Sequence, residues 1–582
     1  MRQKWQKATA CMLAAATLFS VSGCGDPALQ STGSTTEEKP DVERTQLYIY
    51  NVDFAGSDGW LHTLAEKFER EHAADANWES GKTGVQVIVR TTANRDEDLT
   101  SRLSAGQDDV YFAQAPSYRA LVKKGLLADV TQAVEESLTG ESRSIEDKLT
   151  DGQKAYYGVE STDGEPTYYA VPYRRSYFGI TYNVDLFEKE CYYFAAESAD
   201  GVFVKSATDA RSAGPDGKVG TADDGLPSTY AEFFTLCDRI VANGQTPMTW
   251  GGERFGEYLT WLANALAADG EGYAQTMLRF SPDGETNNLG LIKNGDFAQD
   301  ETPTQLTEAN GYELARSSGV YDALHFVKKL TAEDTYYDGE AFRTDRTQKE
   351  AQADFLAETP AFGKKQIAML ADGNWWQSGW LPKDEAIDPP TENGDSLSTV
   401  AAQATLPADE TPITERRLGW MPFPKSTAEK VGEPTALYDC LSSAVFLSAK
   451  TKQEKLAKEF LRFLCSNENL KEYVTAANAS VALDVTLGDD GWESLSYFGR
   501  SALEMQMSAD MVCPYSTHPL FLNNESYFTV KQSWRAAFDL MTPTQYPVEA
   551  FRKNNVSVVD YFSGMYKYRK ESWQTLQKPQ AE

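Results

Sequence analysis

Histidine is nearly absent from this 582-residue chain: His62, His72, His325 and His518 are the only four, and none forms a His-x-x-x-His pair. Zinc-dependent hydrolysis on that helical pattern is excluded. No Gly-x-Ser-x-Gly elbow and no complete Gly-x-x-x-x-Gly-Lys-Ser/Thr phosphate cradle occurs either. Cysteine is sparse. Past Cys24 only Cys191, Cys237, Cys440, Cys465 and Cys513 remain, with no metal-ligand spacing and an odd count that forbids complete pairing within the chain. Positive charge is also in deficit, with 55 Lys and Arg against 86 Asp and Glu, a net charge of −31. Nucleic acid and anionic lipid surfaces both select basic faces, so neither is expected as a partner. With 86 acids, coincidental carboxylate pairs are guaranteed, so their presence says nothing about glycoside hydrolysis.

Long apolar runs are missing from the body of the chain, and only the N-terminus carries one. There "MRQKWQKATACMLAAATLFSVSGC" opens with Arg2, Lys4 and Lys7 and runs apolar from Ala8 to Val21. That run is too short to span a bilayer and reads as a secretory signal over 1–23. Its end, Val21-Ser22-Gly23-Cys24, resembles the lipobox of bacterial lipoproteins, which implies lipidation at Cys24. Residues 24–45 are rich in Ser, Thr, Gly and Glu and read as a flexible tether of about 25 Å reach.

Hydrophobic residues are in good supply, 41% of a chain long enough for two domains. Strand-like runs such as "QLYIYNV", "GVQVIVRTTA" and "DVYFAQA" alternate with amphipathic helical patterns. One begins after Asp58, an expected N-cap; another, at 227–244, is expected to be capped by Ser228 or Thr229 and ended by Gly244. Alternation of this kind predicts parallel sheet covered on both faces, with ligands bound at the carboxyl ends of the strands.

The stretch "MLADGNWWQSGW" (369–380) concentrates three tryptophans in twelve positions. Read as the end of a strand rejoining the first sheet, it places Trp375 and Trp376 on the rim beside Asp53. Indoles stack on the flat C–H faces of sugar rings while carboxylates and amides take the hydroxyls. Candidate carbohydrate contacts are therefore Trp375, Trp376, Trp250, Trp420 and Tyr438, with Asp53, Asp372 and Asn374 as hydrogen-bonding groups. Against each stands ordinary packing, or helix capping for Asp372. Trp261, at helical spacing with Leu262 and Leu266, is expected in the core. A second constellation, "DARSAGPDGKVGTADDG", sets Asp209, Asp216, Asp223 and Asp224 in a glycine-rich loop. It lacks the EF-hand glutamate but resembles calcium loops of secreted proteins, which implies structural Ca2+. The alternative is a solvated acidic turn.

The segments "DVYFAQAPSYRALVKKGLLADVT", "YAVPYRRSYFGITYNVDLF", "PSTYAEFFTLCDRI", "FGKKQIAMLADGNWW" and "LGWMPFP", with the lipobox, occur in an order similar to the extracellular solute-binding lipoproteins of bacterial ABC importers, over nearly all of residues 46–480. The resemblance implies an α/β, two-lobed periplasmic-binding-protein-like fold of type II, each lobe a mostly parallel sheet flanked by helices. The expected lobes are 46–172 plus 362–433 and 173–361 plus 434–582. It also implies a monomer without catalysis or required cofactor, a carbohydrate ligand (on size and tryptophan supply an oligosaccharide), an ABC permease as partner, and a lipid-anchored position outside the cell membrane. A secreted glycan-acting enzyme and a glycan-binding surface protein without transport are the competing readings.

Overall fold

The computed structural model describes residues 39–52, 58–92, 99–114, 118–160, 164–196, 203–380, 410–440, 443–478, 480–513, 517–522 and 545–577. The signal, Cys24, most of the tether and Asp53 lie outside the described residues.

In chain order the elements that position the site are β1 (Thr45–Val52), α1 (Gly59–Glu71), β2 (Val85–Thr92), β3 (Val110–Gln114) and β4 (Ala170–Arg174). Then come β5 (Phe178–Asn183), α2 (Tyr230–Ala242), β6 (Thr246–Thr249), α3 (Phe255–Glu271), α4 (Ser318–Ala332), α5 (Gln348–Leu356) and β7 (Ile367–Gly373). The chain closes with β8 (Leu418–Met421), β9 (Ala436–Tyr438), β10 (Ser443–Leu447), α6 (Glu454–Leu464), α7 (Asn467–Ala477), α8 (Tyr497–Ser508) and β11 (Asp510–Val512).

Two sheets result. The first has the order β2-β1-β3-β10-β4 and the second β8-β5-β7-β6. Strands joined by strand–helix units are parallel: β1 with β2 and β3, and β7 with β6. Strands arriving from the other lobe, or turning back beside a crossing, enter antiparallel: β10 beside β3 and β4, and β5 beside β7 and β8. A strand that comes across a hinge has no covering helix to reverse its direction, so within these two sheets parallel pairing is confined to the α/β units; beside the crossing β9 and β11 form a separate parallel pair.

The expected lobe boundaries need correction. Segment 367–373 pairs in the second sheet, not the first, while 443–447, assigned by sequence to lobe two, lies inside the first. A buried strand is an apolar run on both faces, so its sequence carries no mark of which sheet it joins. Among the described residues the first lobe is thus built on those within 45–174 and 443–482, the second on those within 178–380 and 410–438 and on the α8 region. Each has its own large core. A third cluster, with Tyr177, Trp376, Trp380, Trp420, Leu437 and Phe498, fills the second sheet's other face under α8.

Local signals hold where they were strong. Thr229 caps α2, its hydroxyl accepting from Glu232 N at 3.2 Å, and Gly244 lies just past the helix end at φ +81°. Asp58 occupies the N-cap of α1 without a capping hydrogen bond, and its carboxylate lies 3.5 Å from His62 instead. α3 departs most from expectation: all 17 residues are buried, including Glu257, Asp269 and Glu271. Asp269 is tolerated there because the buried Lys425 ammonium sits 3.0 Å from both its oxygens. Glu271 is held by Arg279 at 2.6 Å. Among the described residues no helix is long and apolar enough to cross a membrane.

Candidate functional site between the lobes

Register fixes where the sheets point. In the first sheet Val52 pairs with Thr92, and Ser443 pairs with both Gln114 and Arg174, so the carboxyl ends of β1, β2, β3 and β4 share one edge. In the second, Gly373 at the end of β7 pairs with Phe178 at the start of β5, and Thr249 at the end of β6 pairs with Leu370. Only three residues separate Arg174 from Phe178. The carboxyl ends of both sheets therefore converge on the crossing, where open α/β sheets bind ligands.

Three segments form that crossing. Residues 174–178 run from first sheet to second, 438–440 leave the second lobe ahead of β10 in the first sheet, and 480–482 lead on toward α8. They are laced together: Cys440 N donates to Ser176 O at 2.9 Å, Arg175 N to Ser480 O at 3.1 Å, and Asp439 N to Val512 O at 2.9 Å. The five downstream cysteines are free, Cys440 and Cys513 at this crossing included.

The second lobe's wall is built from the end of β7 and the first turns of α3 and α5. The Trp375 ring folds back across Gly373, where an added Cβ would sit 2.1 Å from it, so glycine is required. Its edge meets Trp261 at 6.3 Å between centroids; Trp261 stacks on Tyr258 at 5.5 Å, and both contact Phe178. Asp372, next to this aromatic group, is buried. Its Oδ2 accepts from Gln352 Nε2 at 2.8 Å and its Oδ1 from Gly373 N at 2.8 Å. Gln352 is oriented by Trp380, whose Nε1 donates to Gln352 Oε1 at 2.8 Å. Burial pushes the Asp372 carboxyl up to about 6, against the pull of those hydrogen bonds and of Lys349. Burial likewise lowers Lys349 to about 8 although Asp372 opposes it, and its ammonium lies 5.2 Å from the Trp380 ring centre.

The four candidate tryptophans separate on burial: Trp375 keeps 8% of its surface, Trp420 3%, Trp376 1% and Trp250 none. Trp376 is committed to packing, with its Nε1 donating to Thr181 Oγ1 at 3.1 Å between Phe355 and Phe498. Trp250 is wedged against Tyr337 and Phe342 behind the buried Arg346. Trp420 lies across Gly179, where an added Cβ would come within 2.3 Å of its ring. These three pack the second lobe, so the rim shelf of paired indoles beside Asp53 is replaced by Trp375 with Trp261 and Tyr258. Trp261 is core, as its spacing predicts, and supports the Trp375 ring from beneath. Tyr438 is nearly buried in β9 at the return crossing. Asn374 spends its amide on the crossing segments. Tyr258, Lys349 and Gln352 were missed by sequence reading; for Tyr258 "FGEYLTWL" was the available signal, a helix start with two aromatics three positions apart.

The aspartate loop sits elsewhere. Asp209 closes a separate turn, its Oδ2 accepting from Lys205 N at 2.7 Å and Ser206 N at 3.0 Å. Asp223 Oδ2 accepts from Asp216 N at 3.0 Å and Asp224 Oδ2 from Gly220 N at 2.7 Å. Burial raises the Asp223 carboxyl, with Asp216's charge adding to it. Among the described residues no three His, Cys, Asp or Glu side chains gather as a metal-binding group.

The sequence profile of the family described as bacterial extracellular solute-binding protein matches residues 63–494. Among solved structures, "SBP RafE in complex with raffinose" superposes with a TM-score of 0.52 at 17% identity, over 92% of this chain and 100% of that one. A "chitin oligosaccharide binding protein" gives 0.52 at 17%, over 91% and 100%. The apo-form of RafE from Streptococcus pneumoniae gives 0.51 at 16%, over 93% and 100%. At such identities the likeness establishes the fold. No curated protein sequence matches the chain. With nearly three quarters of its length matched and both sheets arranged about one hinge, the chain belongs to the bacterial extracellular solute-binding proteins.

Proposed function

We propose that the protein is the substrate-binding component of an ABC importer, a lipoprotein anchored at Cys24 that captures a carbohydrate between its lobes and presents it to the permease as a monomer, without chemistry. The observation that carries this reading is the wall at the crossing: the Trp375 indole, the least buried of the candidate tryptophans, backed by Trp261 and Tyr258 and flanked by the buried Asp372 carboxyl. A ring face for the sugar's C–H surface beside an acceptor for its hydroxyls is the pairing that pyranose recognition needs. Solved structures of the same fold are described with raffinose, chitin oligosaccharide, β-D-galactopyranose and xylan utilisation, which supports a carbohydrate ligand.

Titrating the protein with raffinose, chito-oligosaccharides, xylo-oligosaccharides and galactose while following tryptophan emission tests the reading. The expected result is a saturable one-to-one change with one of these sugars, recovered intact by chromatography. Release of cleaved product would put the enzyme reading in its place, and a flat response to every sugar would end the carbohydrate reading.

Calcium is kept as a proposal for Asp216, Asp223 and Asp224 alone. A cation there has to displace hydrogen bonds the loop already makes, so its net stabilisation is small. Chelation by EDTA is expected to lower Tm by no more than about 2 °C; a larger drop would mean that the loop is built around the metal.

A further inference from the structure

Asn374 succeeds Gly373 at the end of β7 and precedes the Trp375 indole. Its backbone N donates to Tyr177 O at 3.0 Å, and its side-chain Oδ1 accepts from Tyr177 N at 3.2 Å, both within the second lobe's end of the crossing. Its two amide protons go the other way. Nδ2 donates to Arg175 O at 3.3 Å and to Ser480 Oγ at 3.2 Å. Ser480 and Arg175 ride with the first lobe: Arg175 N bonds Ser480 O at 3.1 Å, Ala482 N bonds Tyr173 O at 2.7 Å, and Gln153 Nε2 bonds Ala482 O at 2.9 Å. One buried amide thus faces both lobes, with its acceptor spent on the second and its donors on the first.

We propose that Asn374 is a latch: its two crossing hydrogen bonds hold the lobes in the arrangement seen here and set how much of the unliganded protein keeps it. The inference rests on the solute-binding reading for its purpose but on the hinge geometry for its content. A binding protein's apparent affinity is its intrinsic affinity scaled by the fraction of competent conformer, so a latch beside the ligand wall tunes affinity without touching ligand. Asn374 is in this sense a positioning residue, one position from Trp375, where a shift in the indole would be felt directly.

The test needs no ligand. Asn374→Asp is nearly isosteric and keeps the acceptor for Tyr177 N but cannot donate to Arg175 O or Ser480 Oγ. Ser480→Ala removes one acceptor, together with the hydroxyl's contact to the Tyr177 side chain, and leaves the backbone hydrogen bonds of the hinge in place. Small-angle scattering of the unliganded proteins, with melting curves as the fold control, is expected to show a changed radius of gyration for both variants. The ratio of released to latched conformer should rise about fivefold for Ser480→Ala, the loss of one net hydrogen bond, and further for Asn374→Asp. If Asn374→Asp fails to fold, Ser480→Ala decides alone. Variants that melt and scatter like the parent overturn the latch. A scattering shift in a protein that binds no sugar would keep the latch and remove only the carbohydrate reading.

Discussion

Replacing Trp376 with alanine is expected to cost the second lobe about 3–5 kcal/mol, whereas Trp375→Ala, one residue earlier, costs less, about 2–3 kcal/mol, and weakens carbohydrate binding about a hundredfold. The two indoles are chemically identical and adjacent, so the contrast comes wholly from their surroundings. Trp376 is enclosed by Phe355 on one side and by Phe498 of α8 on the other, with ring centroids at 6.0 and 5.4 Å. Truncation opens a cavity at the junction of three elements and strips the Thr181 hydroxyl of the indole N–H that donates to it. Trp375 keeps 8% of its surface exposed, and the second lobe's core closes around the rest through Trp261 and Tyr258. On the proposed function its loss removes a ligand contact as well as packing. Calorimetry is the measurement, read on the second lobe's transition because two lobes need not melt as one unit. Equal destabilisation by the two substitutions would show that both indoles are structural, and the proposed sugar platform would go with them.

That contrast also shows what the sequence could and could not disclose. The pair Trp375–Trp376 was legible as a special feature, because adjacent indoles at a strand end cannot share one face. Which of the two faces outward was not legible, since the answer depends on Phe498, more than a hundred residues downstream, arriving beneath the sheet on α8. Strand–helix alternation, the Thr229 cap and the glycine stops are local and were read correctly. Sheet membership of 367–373 is non-local: the same apolar run would satisfy either sheet, and only its pairing with Phe178–Tyr182 decides. The ion pair of Lys425 with Asp269 is hidden for the same reason, as neither residue's neighbourhood in sequence announces a buried charge. Asn374 stands out in the sequence as a hydrogen-bonding group for a ligand, yet its side chain is engaged by the crossing. A polar residue between strand and indole reads equally well as a ligand contact or a hinge clasp, and the hydrogen bonds to Arg175 and Ser480 favour the clasp.

Asp372 carries the strongest prediction about pH. Burial lifts its carboxyl from an ordinary value of 3.8 to about 6, so between those values the folded protein holds a proton that the unfolded chain has released. A raised carboxyl works in the reverse sense to a salt-bridged one: its contribution favours folding most below about pH 4, declines as pH rises through the window, and is flat above about pH 6. At neutral pH the ionised Asp372 is a burden of the order of 3 kcal/mol, from about two units at 1.36 kcal/mol each. Asp372→Asn removes that charge. It also turns an amide N–H₂ toward either Gln352 Nε2 or Gly373 N, both of which are donors, at a cost of about 1 kcal/mol. The variant is therefore expected to be more stable than the parent by about 1–2 kcal/mol at pH 7.5 and no more stable at pH 4. Denaturant titration of both proteins at the two pH values gives the difference directly, and subtraction cancels the chain's other carboxyl groups. A gain equal at both pH values, or none at pH 7.5, would mean that Asp372 carries no strained charge. Carbohydrate affinity should move in the opposite direction and fall at least tenfold, because an ionised, partly desolvated carboxylate accepts hydroxyl hydrogen bonds more strongly than an amide oxygen. Under the proposed function, a group that costs stability where it stands, in the wall beside the Trp375 indole, is kept for the hydroxyl it would accept.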